Sequence, residues 1–375
     1  MTTRLLKSIE VALLSLPLFA IGAAETSRTQ WMEVRPADVE GRLWDDVEAP
    51  FDRIPVRVKR TLPNVWGNGI SPTGQLVDFE SDSRNIAVKV KYASNHFGEM
   101  NFNYVAFSGF DLYIFDQGKW RWAATMGHYT RWALQMTYPL LTNLPPGKRR
   151  FRLYLPLRNR LQSVALGTDA GAKTTLIPPR RDRPVVYYGT SIIHGAFACR
   201  SGLGLTSRLG RALDWPVVNL GFSGAAKLEP AMAELMAEKE ASVYVCDPFH
   251  NLSAADIRAN FEKFFDVLCA KRPNTPVILL GAPHRCNLWM WPAKEAVEVE
   301  KTRLFETLAP KVAAKYGNFR YVPGQNLYGD CEWSMDGVHP NDEAFGNMTK
   351  NLAPILRALL PTTGGRGDVN GGATK

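Results

Sequence analysis

The stretch Val185-Val-Tyr-Tyr-Gly-Thr-Ser191 decides the fold class of this chain. Four residues that favour strands are followed by a glycine and by two residues with hydroxyl side chains. A helical pattern then continues to about Leu213. A short apolar run that passes directly into a helix is typical of a strand buried on both faces of a parallel sheet. We therefore predict that a parallel α/β sheet begins at Val185.

The same alternation continues to the end of the chain. Further strands are predicted at Val217–Leu220, Val243–Val245, Pro276–Leu280 and Phe319–Val322. Helices are predicted near Pro230–Lys239, Ala254–Cys269, Pro292–Lys315 and Asp342–Leu360. Short apolar runs alternating with amphipathic helices predict a parallel sheet covered on both faces, over residues 185–361.

Upstream of Val185, apolar residues recur with the period of two that is typical of β-strands. The runs Asn85–Tyr92 and Arg150–Leu157 place apolar residues at every second position, and turn clusters such as Pro72-Thr-Gly74 separate the runs. Residues 30–176 are therefore predicted to form a β-sandwich of jelly-roll type. The stretch 177–184 is rich in proline and charge and is predicted to be the linker.

Both ends of the chain lie outside these domains. Arg4 and Lys7 precede the apolar run Val11–Ala23, a pattern typical of a signal peptide over residues 1–24. We expect export to the periplasm or the extracellular space, without stable membrane insertion once the signal is removed; an uncleaved anchor is the alternative. The glycine-rich tail 362–375 is predicted to be disordered.

Composition excludes several classes of protein. Of 375 residues, 45% are hydrophobic and 22% charged, which is unlike a disordered chain or a small disulfide scaffold. The net charge is +9, but the basic residues are dispersed, so no nucleic-acid partner is predicted. No glycine-rich phosphate loop follows a strand, and five cysteines show no metal-ligand spacing, so neither a cofactor nor a metal is expected. In an exported protein Cys286 and Cys331 are a candidate disulfide pair.

Two separated motifs carry the candidate chemistry. Ser191 follows the first predicted strand, where its hydroxyl lies at the sheet edge and its N–H at a helix N-terminus. Asp336-Gly-Val-His339-Pro340 places a carboxylate and an imidazole three residues apart on one loop, so that the Asp can orient the His and the His can act as base. The structural alternatives are that Ser191 caps a helix, and that Asp336 caps the final helix beside an incidental exposed His339.

Two further residues follow the next strands. Gly224 lets the backbone approach a ligand and present an N–H, and the Asn251 side chain offers an amide donor. With the N–H of Ser191 they are predicted to stabilise an oxyanion. Alternatively, Gly224 is a turn residue and Asn251 belongs to the cap of the following helix.

These blocks, in this order, resemble those of the SGNH (GDSL-type) hydrolases over about Arg183 to Leu360. Gly189-Thr-Ser191 is similar to the first block, and Asp336 to Pro340 matches the last. The resemblance implies a flavodoxin-like three-layer fold, ester hydrolysis through an acyl-enzyme on Ser191, and no metal. Thr190 stands where the family has aspartate, and Asn251 lacks the family's usual neighbours.

The upstream segment carries a further family signature. Ser108-Gly-Phe-Asp111-Leu-Tyr113 resembles the GxDLY motif in the N-terminal β domain of two-domain SGNH acyl-esterases. Together these features predict a secreted serine esterase. Its expected substrates are short acyl esters, chiefly acetyl esters, of a polysaccharide or a small molecule. The alternatives are an esterase for lipids or longer acyl chains, and a catalytically impaired carbohydrate-binding protein.

Overall fold

A computed structural model of the protein describes residues 29–127, 131–329 and 331–361. The predicted signal peptide, 1–24, and the predicted disordered tail, 362–375, lie outside the described residues, as does the side chain of Cys331 in the candidate disulfide. Two antiparallel sheets and one parallel sheet are present in the described ranges. The predicted α/β fold with a β-rich N-terminal region is confirmed.

The N-terminal half is a sandwich of two antiparallel sheets. Its strands are β1 (Thr29–Glu33), β2 (Leu76–Ser81), β3 (Ile86–Tyr92), β4 (Asp111–Asp116), β5 (Lys119–Thr125), β6 (Gln135–Leu141), β7 (Arg149–Tyr154), β8 (Leu161–Asp169) and β9 (Thr174–Ile177). One sheet has the order β1-β8-β3-β6 and the other β5-β4-β7-β2-β9. Alternate residues of most of these strands, including Phe79, Val88 and Phe151, point into a shared core, as the period of two predicts.

The C-terminal half contains the parallel sheet. Its strands are β10 (Val185–Gly189), β11 (Val217–Gly221), β12 (Val243–Asp247), β13 (Val277–Leu280) and β14 (Phe319–Val322), in the order β11-β10-β12-β13-β14. This is the doubly wound, flavodoxin-like order, in which the second strand of the half lies outside the first. Gly189 pairs with both Gly221 and Asp247, so three strands end at one edge.

Helices cover both faces of this sheet. They are α3 (Ser191–His194), α4 (Leu205–Leu213), α5 (Pro230–Ala237), α6 (Ala254–Lys271), α7 (Pro292–Lys315) and α8 (Asp342–Arg357). Helices α3, α4 and α8 pack on one face and α5, α6 and α7 on the other. The predicted single helical stretch to Leu213 is interrupted because Gly195, at φ 96°, ends α3 in the left-handed conformation.

One segment of the N-terminal half packs in part on the C-terminal half. Residues 36–75, between β1 and β2, contain helix α1 (Pro63–Gly69) and contact both halves. Val39 and Phe51 lie in the core of the sandwich, whereas other apolar side chains of this segment pack on the C-terminal half. Trp44, Ile54 and Val65 share a core with side chains of the parallel sheet and of helices α5 to α7. The sandwich resumes at β2 and also carries helix α2 (Tyr104–Ser108) before β4. The C-terminal half is therefore completed by residues that precede most of the sandwich.

Candidate functional site

Ser191 is the first residue of α3, directly after β10. The N-cap is Thr190, whose Oγ1 accepts a hydrogen bond from the Ile192 N–H at 3.3 Å. Thr190 thus braces the turn, as expected of a hydroxyl that replaces the family's aspartate. The alternative in which Ser191 caps the helix is wrong, and the Ser191 hydroxyl is available for another partner.

That partner is His339. Ser191 Oγ lies 2.7 Å from His339 Nε2, and His339 Nδ1 lies 2.7 Å from Asp336 Oδ2. A carboxylate only accepts hydrogen bonds, so Nδ1 carries the ring proton and Nε2 accepts from the serine hydroxyl. The three side chains form one continuous hydrogen-bonded chain, although Ser191 and His339 are 148 residues apart.

The Asp336 loop is stabilised by its own backbone. Asp336 Oδ1 accepts from the Val338 N–H at 3.0 Å and the His339 N–H at 2.9 Å, which leaves Oδ2 for the imidazole. Partial burial raises the pKa of Asp336, but the hydrogen bonds from His339 and Val338 outweigh it and hold the pKa below its ordinary value. The cap of the final helix α8 is Asn341, which accepts from the Ala344 N–H, so the capping alternative for Asp336 is also wrong.

The two other predicted oxyanion residues follow β11 and β12. Gly224 has φ 69°, and a side chain built on it would meet no atom within 4 Å, so the conformation requires glycine while the space beside it is open. Asn251 Nδ2 donates to the Phe222 carbonyl at 3.2 Å and keeps a second hydrogen for a ligand. Helix α6 is capped by Ser253 rather than by Asn251. Ser191, Gly224 and Asn251 therefore meet at one edge of the sheet.

Phe197 is a site residue that the sequence did not indicate. Its ring centroid lies 5.5 Å from that of His339, and its φ of 63° is a left-handed conformation that an aromatic residue rarely adopts. The Phe197 N–H donates to the Asn101 carbonyl at 2.8 Å, so a residue of the N-terminal half holds it in place. Strain of this kind is retained where the surroundings impose it.

The GxDLY motif connects the two halves. Asp111 is completely buried, and its Oδ2 accepts from the Gly202 N–H at 2.9 Å and from Arg200 Nη1 at 2.6 Å. Its Oδ1 accepts from Trp122 Nε1. A side chain at Gly202 would lie 2.4 Å from Asp111 Oδ2, so the loop approaches closely only because it has glycine. The motif thus docks the loop between α3 and α4, which contains Phe197.

The histidines near the site have separate roles. His194 is completely buried and contacts Ser71 and Ser223. His284 Nε2 lies 3.0 Å from Thr302 Oγ1. Both ring nitrogens of His250 are buried with no partner among the described residues. In the described ranges, no group of three or more His, Cys, Asp or Glu side chains is placed to hold a metal ion.

Asp247, the last residue of β12, is a buried carboxyl beside the site. Burial raises its pKa to about 7, and its Oδ1 has no hydrogen-bond partner within the part of the chain that the structure describes. An aspartate in an unfolded chain titrates near pH 4. Between about pH 4 and pH 7 the native state therefore binds more protons than the unfolded state, and its stability falls as the pH rises.

The variant Asp247→Asn removes this pH dependence. The measured quantity is the unfolding free energy of the variant minus that of the wild type. We expect this difference to be about 3 kcal/mol larger at pH 8 than at pH 5, because only the wild type must ionise a buried carboxyl. Urea unfolding of both proteins at the two pH values measures the difference. Asp45→Asn, at an exposed position, is the control, and an equal difference at both pH values would contradict the assignment.

Comparisons with known proteins agree with this geometry. Residues 182–357 match the GDSL-like lipase/acylhydrolase family, and residues 29–174 match the N-terminal GxDLY domain of SGNH-hydrolase-type esterases. None of the curated proteins matches significantly. Among the helices that the structure describes, none is long and apolar enough to cross a bilayer.

Solved structures share the architecture over most of the chain. A protein assigned as a GDSL-like lipase from Bacteroides ovatus is 26% identical, with a TM-score of 0.81, covering 88% of this chain and 98% of its own. A salicylyl-acyltransferase from a tetracycline biosynthetic pathway is 19% identical, with a TM-score of 0.68, covering 88% and 97%. A family two carbohydrate esterase from Clostridium thermocellum is 13% identical, with a TM-score of 0.53, covering 76% and 92%. The chain belongs to the GDSL-like (SGNH) hydrolases and is an esterase of that family with an N-terminal GxDLY domain.

Proposed function

We propose that this protein is an exported serine esterase that hydrolyses short acyl esters on carbohydrate, with a preference for acetyl esters. The observation that carries the proposal is the hydrogen-bonded chain from Ser191 through His339 to Asp336, at an edge where Gly224 and Asn251 also lie. Export rests on the signal-like pattern of residues 1–24. Mass spectrometry of the mature N-terminus tests it, and an intact Met1 would contradict it.

The proposed mechanism follows from these positions. His339 Nε2 takes the Ser191 proton while Oγ bonds to the ester carbonyl carbon, and Asp336 stabilises the imidazolium that forms. The N–H groups of Ser191 and Gly224 and the Asn251 amide donate to the carbonyl oxygen as it becomes negative. The imidazolium then protonates the leaving alcohol, and the acyl group stays on Ser191. In the second half His339 deprotonates a water molecule that attacks the acyl-enzyme and releases the acid.

The substrate class is supported by the surface around the site. Trp289 and Met335 are exposed, and the Cys286 N–H donates to the Gly337 carbonyl, so their two loops are joined. Apolar side chains beside the site suit a sugar face or an acyl chain. Carbohydrate esterases are among the proteins that share this fold, which favours the sugar.

Trp66, Trp120 and Trp122 of the N-terminal half differ in how much ring surface they offer to a sugar. Trp66 lies beneath Lys59 Nζ, 4.0 Å from the ring centroid, and Trp120 beneath the Arg152 guanidinium at 4.3 Å. Of these three tryptophans only Trp122 is exposed, and its Nε1 donates to Asp111. Sugar contacts are therefore proposed for the loops of the C-terminal half.

Acyl preference tests the proposal. With p-nitrophenyl acetate, butyrate and octanoate, we expect kcat/KM to fall with each increase in chain length, as the proposed preference for acetyl esters requires. Release of acetate from acetylated xylan is the matching assay on a polymer. A preference for octanoate would instead support the lipid esterase. Binding to insoluble polysaccharide without hydrolysis of any ester would support the impaired carbohydrate-binding protein.

A further inference from the structure

The peptide between Ser223 and Gly224 is oriented by a residue of the N-terminal half. The Ser223 carbonyl accepts a hydrogen bond from Asn68 Nδ2 at 3.2 Å. Because all described peptide bonds are trans, the Gly224 N–H points in the opposite direction, away from α1. Within the described ranges no acceptor is bound to this N–H. The Asn68 contact therefore decides which way the donor faces.

Hydrogen bonds to its neighbours determine the orientation of the Asn68 amide. Its Oδ1 accepts from Arg158 Nη1 at 2.8 Å, and its Nδ2 also donates to the Asn64 carbonyl at 2.9 Å. If the amide were turned over, its NH₂ group would face the guanidinium and its oxygen would face two carbonyl oxygens. Three contacts thus agree on one orientation, in which Asn68 presents an N–H to Ser223.

The backbone on both sides of this contact is held by Arg53. This guanidinium is completely buried and donates to the Asn68 carbonyl at 2.8 Å and the Asn219 carbonyl at 2.7 Å. It also donates to the Gly221 carbonyl at 3.2 Å. A single side chain therefore connects α1 to the end of β11, immediately before the turn that contains Gly224.

Ser223 has a second restraint through its hydroxyl. Its Oγ lies 3.2 Å from His194 Nδ1, and His194 Nε2 lies 3.2 Å from Ser71 Oγ. Burial, together with the nearby positive charges of Arg53 and Arg158, lowers the pKa of His194 well below its ordinary value. A neutral imidazole has one donor and one acceptor, so both contacts form at once.

We propose that Asn68 is a positioning residue that aims the Gly224 N–H at the oxyanion during ester hydrolysis. The inference rests on the proposed serine esterase, and it goes further because it makes α1 part of the catalytic arrangement. The oxyanion site is then assembled by both halves of the chain. Asn68 itself touches no reacting atom and acts only through the peptide that it orients.

The variant Asn68→Asp in the full-length protein tests this assignment. A carboxylate keeps the contact with Arg158 but has no N–H for the Ser223 carbonyl and repels it, so the peptide can turn over. With p-nitrophenyl acetate, kcat should fall by about 10- to 100-fold, since one of three oxyanion donors is misdirected. KM should change less than about threefold, because the ground-state ester makes weaker use of these donors.

Asn64→Asp is the matched control. It makes the same substitution one turn away on α1, at an exposed residue. Only the backbone carbonyl of Asn64 contacts Asn68, and the substitution leaves that carbonyl in place. Its kcat should equal that of the wild type. If Asn68→Asp does not fold, Asn68→Ala is measured in the same way, with a smaller expected loss because it removes the donor without adding repulsion.

A thionoester separates positioning from general damage. Sulfur accepts hydrogen bonds more weakly than oxygen, so the ratio of rates on phenyl acetate and phenyl thionoacetate reports the use of the oxyanion donors. We expect this ratio to fall in Asn68→Asp. An unchanged kcat, or an equal loss on both substrates, would overturn the proposal. Activity that survives in Ser191→Ala would instead overturn the proposed esterase mechanism, independently of Asn68.

Discussion

Replacing Ser191 by alanine should reduce kcat on p-nitrophenyl acetate by about 10⁵- to 10⁶-fold. Its hydroxyl is the one that His339 Nε2 contacts, at 2.7 Å, and without it no acyl-enzyme can form. Loss of the nucleophile in enzymes of this type removes about as much rate as loss of the whole triad. The fold should be retained, because Thr190 and not Ser191 caps α3.

The measurement combines kinetics with a covalent label. An activated phosphonate ester should modify wild-type protein at Ser191, as identified by peptide mass spectrometry, and should leave Ser191→Ala unmodified. Ser163→Ala, at an exposed position in β8, is the control and should keep full activity and full labelling. Hydrolysis by Ser191→Ala at a rate near that of the wild type would show that the nucleophile lies elsewhere.

The second large effect is expected for Asp336→Asn, with a loss in kcat of about 10⁴-fold. An asparagine can present its NH₂ group to His339 Nδ1, which then accepts a proton instead of donating one. The ring proton moves to Nε2, which can no longer accept the Ser191 proton. KM should change little, since Asp336 contacts the imidazole and its own loop and not the ester.

The pH dependence makes this prediction sharper. Because hydrogen bonds hold the pKa of Asp336 below its ordinary value, the carboxylate stays ionised wherever the enzyme works near neutrality. The asparagine variant should therefore be slow across the whole neutral range. Glu343→Gln, an exposed carboxylate four residues from His339, removes the same charge without the hydrogen bond and should keep kcat within about twofold. A similar loss in both variants would indicate a charge effect only.

The pairing of Asp336 with His339 was predictable because both residues lie on one loop. The strands and helices of the C-terminal half were predictable for a related reason, since each is a local apolar pattern. Helix α7 runs from Pro292 to Lys315, as its sequence predicts. The fold class and the family therefore followed from local patterns and from motif order.

The sequence alone could not decide whether each candidate site residue has a catalytic or a structural role. Ser, Asp and Asn all cap helices, so each candidate had a structural alternative until the actual caps were identified. Those caps are Thr190, Ser253 and Asn341. In each case a different polar residue caps the helix, one position from Ser191, two from Asn251 and five from Asp336. No sequence rule shows which of several nearby polar residues will take that role.

Contacts across the two halves were also beyond prediction. Asn68 and Ser223 are 155 residues apart, and an asparagine on a short helix carries no signal of a distant partner. Phe197 likewise has no local feature that indicates its positive φ. His194 contacts Ser71, which lies in the segment between β1 and β2. These residues acquire their roles only when the halves meet.

The segment between β1 and β2 also has a consequence for synthesis of the chain. Trp44, Ile54 and Val65 leave the ribosome well before Val186 and Val218, with which they share a core. At about 5–20 residues per second, the roughly 120 residues between Val65 and Val186 take on the order of 10 s to make. During that interval these apolar side chains have no partner, while the strands of the sandwich are already emerging. A nascent chain with this order of elements is a natural client for chaperones that bind exposed apolar segments.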